Sequence, residues 1–225
     1  MLRNPQAILF DLDGTLVDSA PDLAYSVDRM LTELGRSPAG ETAVRHWVGN
    51  GAERLVKRAL TGAMQDEPDA ELFDRAYPLF LEIYAGHVMV DSRLFPGVEE
   101  GLKQLHHLGY PMACITNKPA RFTAPLLEGL GIAALLGLQV SGDTLPVKKP
   151  DPRPLRYAAE FFKVPAECTL MVGDSRNDVQ AARAAGAQIV CVPYGYNHGE
   201  DINEAGPDAV IDNLTQLVEL LRQAA

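Results

Sequence analysis

The sequence predicts an α/β protein: a doubly wound, mainly parallel, Rossmann-like sheet with a small all-helical domain inserted into it. Three observations carry that reading. Short apolar runs without alternation recur along the chain, helical patterns separate them, and one long stretch after the first run carries helical patterns only. Strands covered on both faces read as unbroken apolar runs. Their alternation with helices implies an open sheet wound on both sides.

The runs are residues 7–10, 112–115, 138–140, 169–172, 189–192 and 209–211. Between them, 97–108 spaces Val98, Leu102, Leu105 and Leu108 helically, and 120–130 does the same with Phe122, Leu126, Leu127 and Leu130. Helices are also predicted over 154–162, 178–185 and 214–221. From Ser19 to Val90 no strand is predicted. Leu23, Val27, Met30, Leu31 and Leu34 recur at helical spacing and Gly35 ends that helix. Residues 52–60 and 72–88 are helical too, with Pro78 either kinking the second or marking its first turn. The expected organisation is therefore a core of 1–18 and 91–225, with 19–90 as a helical cap.

A chain of 225 residues suits one large domain or a core with a modest insertion. Its 47% hydrophobic and 22% charged residues mark a globular rather than a disordered protein. The net charge of -10 disfavours nucleic acid and anionic membranes as partners. It also means that an anionic substrate needs local positive charge from a metal, a lysine or helix N-termini. Cys114, Cys168 and Cys191 lie singly in or beside apolar runs, which fits buried thiols in a reducing compartment better than a disulfide framework. The adjacent His106 and His107 point about 100° apart on a helix, which does not make a joint metal site. No segment approaches the ~18 apolar residues of a membrane span, and the acids that follow residues 7–10 argue against a signal peptide. A cytoplasmic monomer or homodimer is expected.

Ligands of open α/β sheets bind beyond the carboxyl ends of the strands. Four polar groups fall there: Asp11-Leu12-Asp13-Gly14-Thr15, Thr116-Asn117-Lys118, Lys148-Lys149-Pro150 and Gly173-Asp174-Ser175-Arg176-Asn177-Asp178. Asp11 and Asp13 can form an ordinary Asx turn ended by Gly14. They can also divide labour, one attacking phosphorus and the other carrying a proton. Two such charges about 4 Å apart repel by about 4 kcal/mol at an effective dielectric of about 20, and a carboxylate approaching a phosphate meets the same obstacle. A divalent cation removes it, and Mg²⁺ prefers oxygen ligands with few protein contacts. Asp174, at a strand end, and Asp178, one helical turn on, supply further acids, although Asp178 also suits a helix N-terminus. Thr116 suits an N-cap before a helix opened by Pro119, a role compatible with holding phosphate. Lys149 or Lys148 can neutralise the acids.

Taken together these residues resemble the haloacid dehalogenase superfamily of phosphohydrolases, whose four motifs match Asp11-x-Asp13-Gly14-Thr15, Thr116, Lys149-Pro150 and Gly173-Asp174-x3-Asp178 in order and spacing. The resemblance spans the whole core, and the helical insertion resembles the family's cap. It implies that Asp11 is the nucleophile and that Asp13 protonates the leaving alcohol and then deprotonates water. Thr116, Asn117 and N–H groups around Leu12 would hold phosphoryl oxygens, and Lys149, preferred to Lys148, would orient Asp11. It places Mg²⁺ on Asp11, Asp13 (through its carbonyl) and Asp174, with Asp178 direct or behind. Trp47-Val48-Gly49-Asn50-Gly51-Ala52, Thr116-Asn117-Lys118-Pro119, the Gly173–Asp178 segment and Tyr194-Gly195-Tyr196 are similar to one subgroup and implicate 2-phosphoglycolate as substrate. Asn50, Gly51 and Arg54, at the start of a cap helix, are then expected to hold its carboxylate, with Arg45 an alternative to Arg54. Otherwise Trp47 is cap core and the glycines merely turn the chain.

The nearest rivals are a phosphosugar phosphatase or mutase of the same family. A metal-free dehalogenase has no use for Asp13 and Asp174. A phospho-accepting receiver-type signalling module shares the grouped acids, Thr and Lys, but is about half this length and lacks a cap. No GxxxxGK[ST] or GxGxxG nucleotide-binding pattern occurs.

Overall fold

A computed structural model describes residues 2–224. In chain order the elements are β1 (Ala7–Phe10), β2 (Val17–Asp18), α1 (Ala20–Glu33), α2 (Glu41–Trp47), α3 (Ala52–Thr61), α4 (Ala70–Ala85), β3 (Arg93–Leu94), α5 (Val98–His107), β4 (Met112–Ile115), α6 (Ala120–Gly129), β5 (Leu138–Val140), α7 (Arg153–Phe161), β6 (Thr169–Gly173), α8 (Arg176–Ala185), β7 (Gln188–Cys191), β8 (Ala209–Val210) and α9 (Leu214–Ala224).

The six expected strands form one sheet in the order β5-β4-β1-β6-β7-β8, with every pairing parallel. The order reverses at β1, so that strand faces the crevice where ligands of such sheets bind. Register does the rest. Phe10 is paired with Cys114 on one side and Val172 on the other, so the residues just beyond β1, β4 and β6 emerge side by side. The Asp11 N–H donates to the Val172 carbonyl at 2.9 Å, and the Thr116 N–H to the Val140 carbonyl at 2.9 Å.

Side chains of β1 alternate between two layers. Ile8 and Phe10 pack with Leu102, Leu105, Leu126, Leu217 and Leu221 of α5, α6 and α9. Leu9 packs with Leu155, Val179 and Ala182 of α7 and α8. Every residue of β1 is buried, which is why the strand reads as a bare apolar run. Each large side chain buried there contributes roughly 1.5–3 kcal/mol.

The inserted stretch forms α1 to α4 around its own core of Leu23, Val27, Leu31, Leu55, Phe80 and Tyr84, onto which Phe122 and Tyr196 of the α/β part pack. The chain leaves and re-enters the sheet domain through a short antiparallel pair, β2 with β3. Neither this pair nor α2 is predicted from the sequence. Two-residue strands carry no periodicity, and α2, seven residues long with only Val44 and Trp47 buried, is too short to show one. Pro78 lies inside α4, eight residues past its start, so it does not mark a first turn. Helix α8 begins at Arg176 rather than Asp178, because Ser175 and Asp178 form a capping box. Thr116 caps no helix: α6 is capped by Pro119, and the Thr116 hydroxyl accepts from the Lys118 N–H at 3.2 Å. The three cysteines are free, with Cys114 and Cys191 buried. Among the described residues no helix is long and apolar enough to cross a membrane.

Candidate active site

Asp11 follows β1 directly and is anchored before any ligand arrives. Its Oδ1 accepts from the Leu12 N–H at 2.7 Å and lies 2.9 Å from Lys149 Nζ, while its Oδ2 enters no hydrogen bond among the described residues. The Leu12 N–H, expected at a phosphoryl oxygen, is thus spent on orienting Asp11. Lys149 is buried and also reaches Asp178 Oδ1 at 2.7 Å. Burial disfavours its charge, but Asp11 and Asp178 more than offset this and hold its pKa above the ordinary lysine value. Lys148 instead lines a neighbouring depression, with Nζ close to Gly51, so Lys149 is the lysine that touches Asp11.

Asp174 and Asp178 come from the β6–α8 turn and are both buried. Asp174 Oδ1 accepts from the Thr15 hydroxyl at 2.7 Å and Oδ2 from the Tyr196 N–H at 2.5 Å. Asp178 Oδ2 accepts from the N–H groups of Asp174 and Ser175 and from the Ser175 hydroxyl. With Lys149 on its other oxygen, Asp178 is fully committed to bracing the loop. Oxygens of Asp11, Asp174 and Asp178 lie within 4.8 Å of one another. Burial raises the pKa of Asp11 to about 7 against the pull of Lys149, with Asp178 adding to the rise. Burial, then Asp178 and Asp11, raise Asp174 well above the carboxylate range.

These residues fit a hard divalent cation. The donor set is all oxygen, and its negative charge exceeds what one lysine neutralises. The space around Asp174 is also kept clear by glycine. A Cβ on Gly14, at φ +88°, would meet Asp174 Oδ2 at 2.3 Å, and one on Gly195 would meet the same oxygen at 2.3 Å. Both positions require the bare backbone.

Asp13 is held differently. Its Oδ1 accepts from the Ser19 hydroxyl at 2.5 Å and lies 3.0 Å from Lys118 Nζ. Lys118 is buried. Burial opposes its charge, yet Asp13 and then Tyr84 keep its pKa raised. The ammonium also lies 4.8 Å above the Tyr84 ring. Nothing in the sequence pairs Lys118 with Asp13, since 105 residues separate them. Asn117 Nδ2 donates to the Lys149 carbonyl at 2.9 Å and to that of Gly49 at 3.4 Å, tying the sheet to the inserted helical segment.

Asp11, Asp13, Thr116, Asn117, Lys118, Gly51 and Tyr84 line one cavity of about 40 Å³ between the sheet and the inserted helices. Asn50 and Arg54 are not part of it. They line a neighbouring depression with Arg58 and Lys148, and the Arg54 guanidinium pairs with Glu67 and bonds to Met64 and Gln65. The buried guanidinium of the loop is that of Arg58, which donates to the Trp47 carbonyl at 2.5 Å and to Asn50 Oδ1 at 2.7 Å. Arg58 carries no sequence signal, because arginine is rarely buried and reads as a solvated charge even at helical spacing from Leu55. Arg45 likewise stays outside the cavity, bidentate on Asp18 at 2.9 and 3.1 Å.

A carboxylate just beyond β1, a second acid two residues on, a buried lysine and a cluster of acids whose oxygens lie within 4.8 Å of one another thus meet at the switch point of a parallel sheet. The chain belongs to the haloacid dehalogenase-like hydrolases, whose family model matches residues 5–186, as a phosphoric monoester hydrolase. It is 54% identical over 225 residues to the phosphoglycolate phosphatase of Nitrosococcus oceani, covering 100% of both chains. It is 48% identical over 219 residues to that of Thiobacillus denitrificans, covering 97% of this chain and 96% of that one. Its fold matches the crystal structure of a predicted phosphoglycolate phosphatase from Haemophilus somnus 129PT with a TM-score of 0.91 at 36% identity, over 98% and 99% of the two chains.

Proposed function

We propose that the chain hydrolyses 2-phosphoglycolate to glycolate and phosphate, with residues 19–90 acting as a cap over the site. The observation that supports this best is the pairing of a fixed nucleophile with a small covered cavity. Asp11 is oriented through Oδ1, and the cavity it lines is small, about 40 Å³, which favours a short organic group over a hexose. The relatives named phosphoglycolate phosphatase support the same substrate.

In the first step an Asp11 oxygen attacks phosphorus as the bond to the alkyl oxygen breaks, and Asp13 delivers a proton to the departing glycolate oxygen. In the second, Asp13 takes a proton from water, which attacks the aspartyl-phosphate; the bond from phosphorus to Asp11 breaks and phosphate leaves. Lys118 stabilises Asp13 as it becomes a carboxylate, and Lys149 keeps Asp11 oriented. Thr116 and Asn117 line the phosphoryl end. Mg²⁺, held by Asp11, Asp174 and the Asp13 carbonyl with Asp178 behind, would supply charge neutralisation for the attack of one anion on another.

Phosphate release from 2-phosphoglycolate, hexose phosphates and p-nitrophenyl phosphate tests the proposal. The two-carbon acid should have the highest kcat/KM, and Asp11→Asn should lower it by at least about 10³-fold. A hexose phosphate ranking first, or an unchanged Asp11→Asn rate, would overturn it.

A further inference from the structure

Tyr84 lies in the last turn of α4, a cap helix that no sequence motif connects to the chemistry. It is 1% exposed, and no group among the described residues accepts its O–H: the polar neighbour acting on the hydroxyl is the Lys118 ammonium, which can only donate to it. Buried tyrosine hydroxyls are normally satisfied, because an unpaired polar group gives up its water for nothing. The ring is not free to turn away. It packs against Phe122 with centroids 4.7 Å apart, stacks on Phe80 at 5.7 Å, and lies under the Lys118 ammonium at 4.8 Å. Burial pushes its pKa up to about 12, with Lys118 pulling the other way, so the group is an O–H donor throughout the neutral range.

The same side chain lines the cavity that holds Asp11 and Asp13. Most of the remaining wall is apolar: Leu23, Val48, Leu55 and Phe122. The polar exceptions away from the phosphoryl end are Lys118 and the start of α3 at Gly51 and Ala52, whose N–H groups have no partner within the helix. An O–H donor, an ammonium and a helix N-terminus in an otherwise greasy wall suit one kind of group, a carboxylate.

We propose that Tyr84 is the specificity-determining donor for the organic end of the substrate, its hydroxyl hydrogen-bonding the carboxylate of a short acidic phosphate ester. This rests on the reading of the site as a phosphatase of a small phosphorylated acid, and it adds a residue from the far end of the cap. A site that leaves a buried donor unpaired rejects an analogue lacking the matching acceptor, so Tyr84 discriminates against a neutral two-carbon ester such as ethyl phosphate.

The test compares kcat/KM for 2-phosphoglycolate and ethyl phosphate in wild-type protein and in Tyr84→Phe. The substitution removes a hydroxyl whose donor finds no acceptor and keeps the ring, so Tm should change by no more than a few degrees. The wild type should prefer 2-phosphoglycolate by on the order of 100-fold, and Tyr84→Phe should shrink that ratio by about tenfold or more. A ratio left intact in Tyr84→Phe overturns the role of Tyr84 and leaves the phosphatase assignment standing. Equal turnover of both esters by the wild type overturns the carboxylate reading and the role of Tyr84 together. Should Tyr84→Phe lose Tm by more than a few degrees, the hydroxyl is structural and the proposal fails.

Discussion

Lys118 Nζ lies 3.0 Å from Asp13 Oδ1, with both side chains largely out of water. The general acid of the proposed reaction thus has its own cation, separate from the lysine that serves the nucleophile. Removing one member of a buried pair leaves the other uncompensated, at a cost of about 3–5 kcal/mol when the pair is fully buried. Asp13 keeps some exposure, so the loss should be smaller. Lys118→Met should lower kcat by about 10- to 100-fold and lower Tm by several degrees. Steady-state kinetics with calorimetry on one preparation checks both, and a wild-type kcat would remove Lys118 from the proton-transfer step.

The acidic cluster should make stability depend on pH and, through the proposed cation site, on Mg²⁺. In the metal-free protein burial holds Asp11 up to about 7 and Asp174 well above the carboxylate range, whereas unfolded aspartates ionise near 4. Between about pH 4 and 7 the folded chain therefore retains protons that the unfolded chain has released. The contribution of these two groups is greatest below that window and declines as pH rises through it. Mg²⁺ displaces the protons, so its stabilising effect should grow with pH. At about 100 times its Kd it adds about 2.7 kcal/mol, or roughly 5–10 °C in Tm. Melting curves in EDTA and in Mg²⁺ from about pH 5 to 8 test this, and identical curves near neutrality would count against the cation site.

Asp22 should prove structural. It is fully buried on α1 and accepts from the N–H groups of Asp91 and Ser92 at 2.8 Å each and from the Ser92 hydroxyl at 2.6 Å. It thus clamps the returning chain to the helix that follows the outgoing one. Asp22→Ala strands three donors, each costing about 1–3 kcal/mol. Urea unfolding should show a loss of at least about 3 kcal/mol.

The two arginines of α3 should behave oppositely. Arg58 is buried and holds the Trp47 carbonyl and Asn50 Oδ1. Arg58→Lys cannot reproduce that fork and should raise KM for the small ester by about tenfold or more. Arg54 pairs with the exposed Glu67, and such pairs contribute about 0–1 kcal/mol. Arg54→Ala should change kcat/KM by less than about twofold. A large effect at Arg54 would return it to the substrate site.

Glycine replacement probes the proposed cation site without substituting an acid. A Cβ on Gly195 would meet Asp174 Cβ at 2.3 Å, a contact no side chain tolerates. Gly195→Ala should weaken Mg²⁺ binding by titration calorimetry by about 10- to 100-fold, while far-UV circular dichroism stays native.

The sequence alone determined the sheet, because strands buried on both faces must be apolar throughout and parallel strands need helical crossovers. All six runs, 7–10 among them, became strands of one sheet. It also determined the polar groups that gather beyond β1, β4 and β6, because Asp11, Thr116 and Asp174 each follow a strand directly in the chain, while Lys149 comes from the loop after β5. Tertiary structure alone decided the partners. Lys118 meets Asp13 and Tyr84, Arg58 rather than Arg54 braces the cap loop, and Tyr84 enters the cavity, because such contacts join residues whose separation in sequence carries no periodic or motif signal. Local periodicity reports which face of an element is buried; only packing of one element on another sets what that face touches.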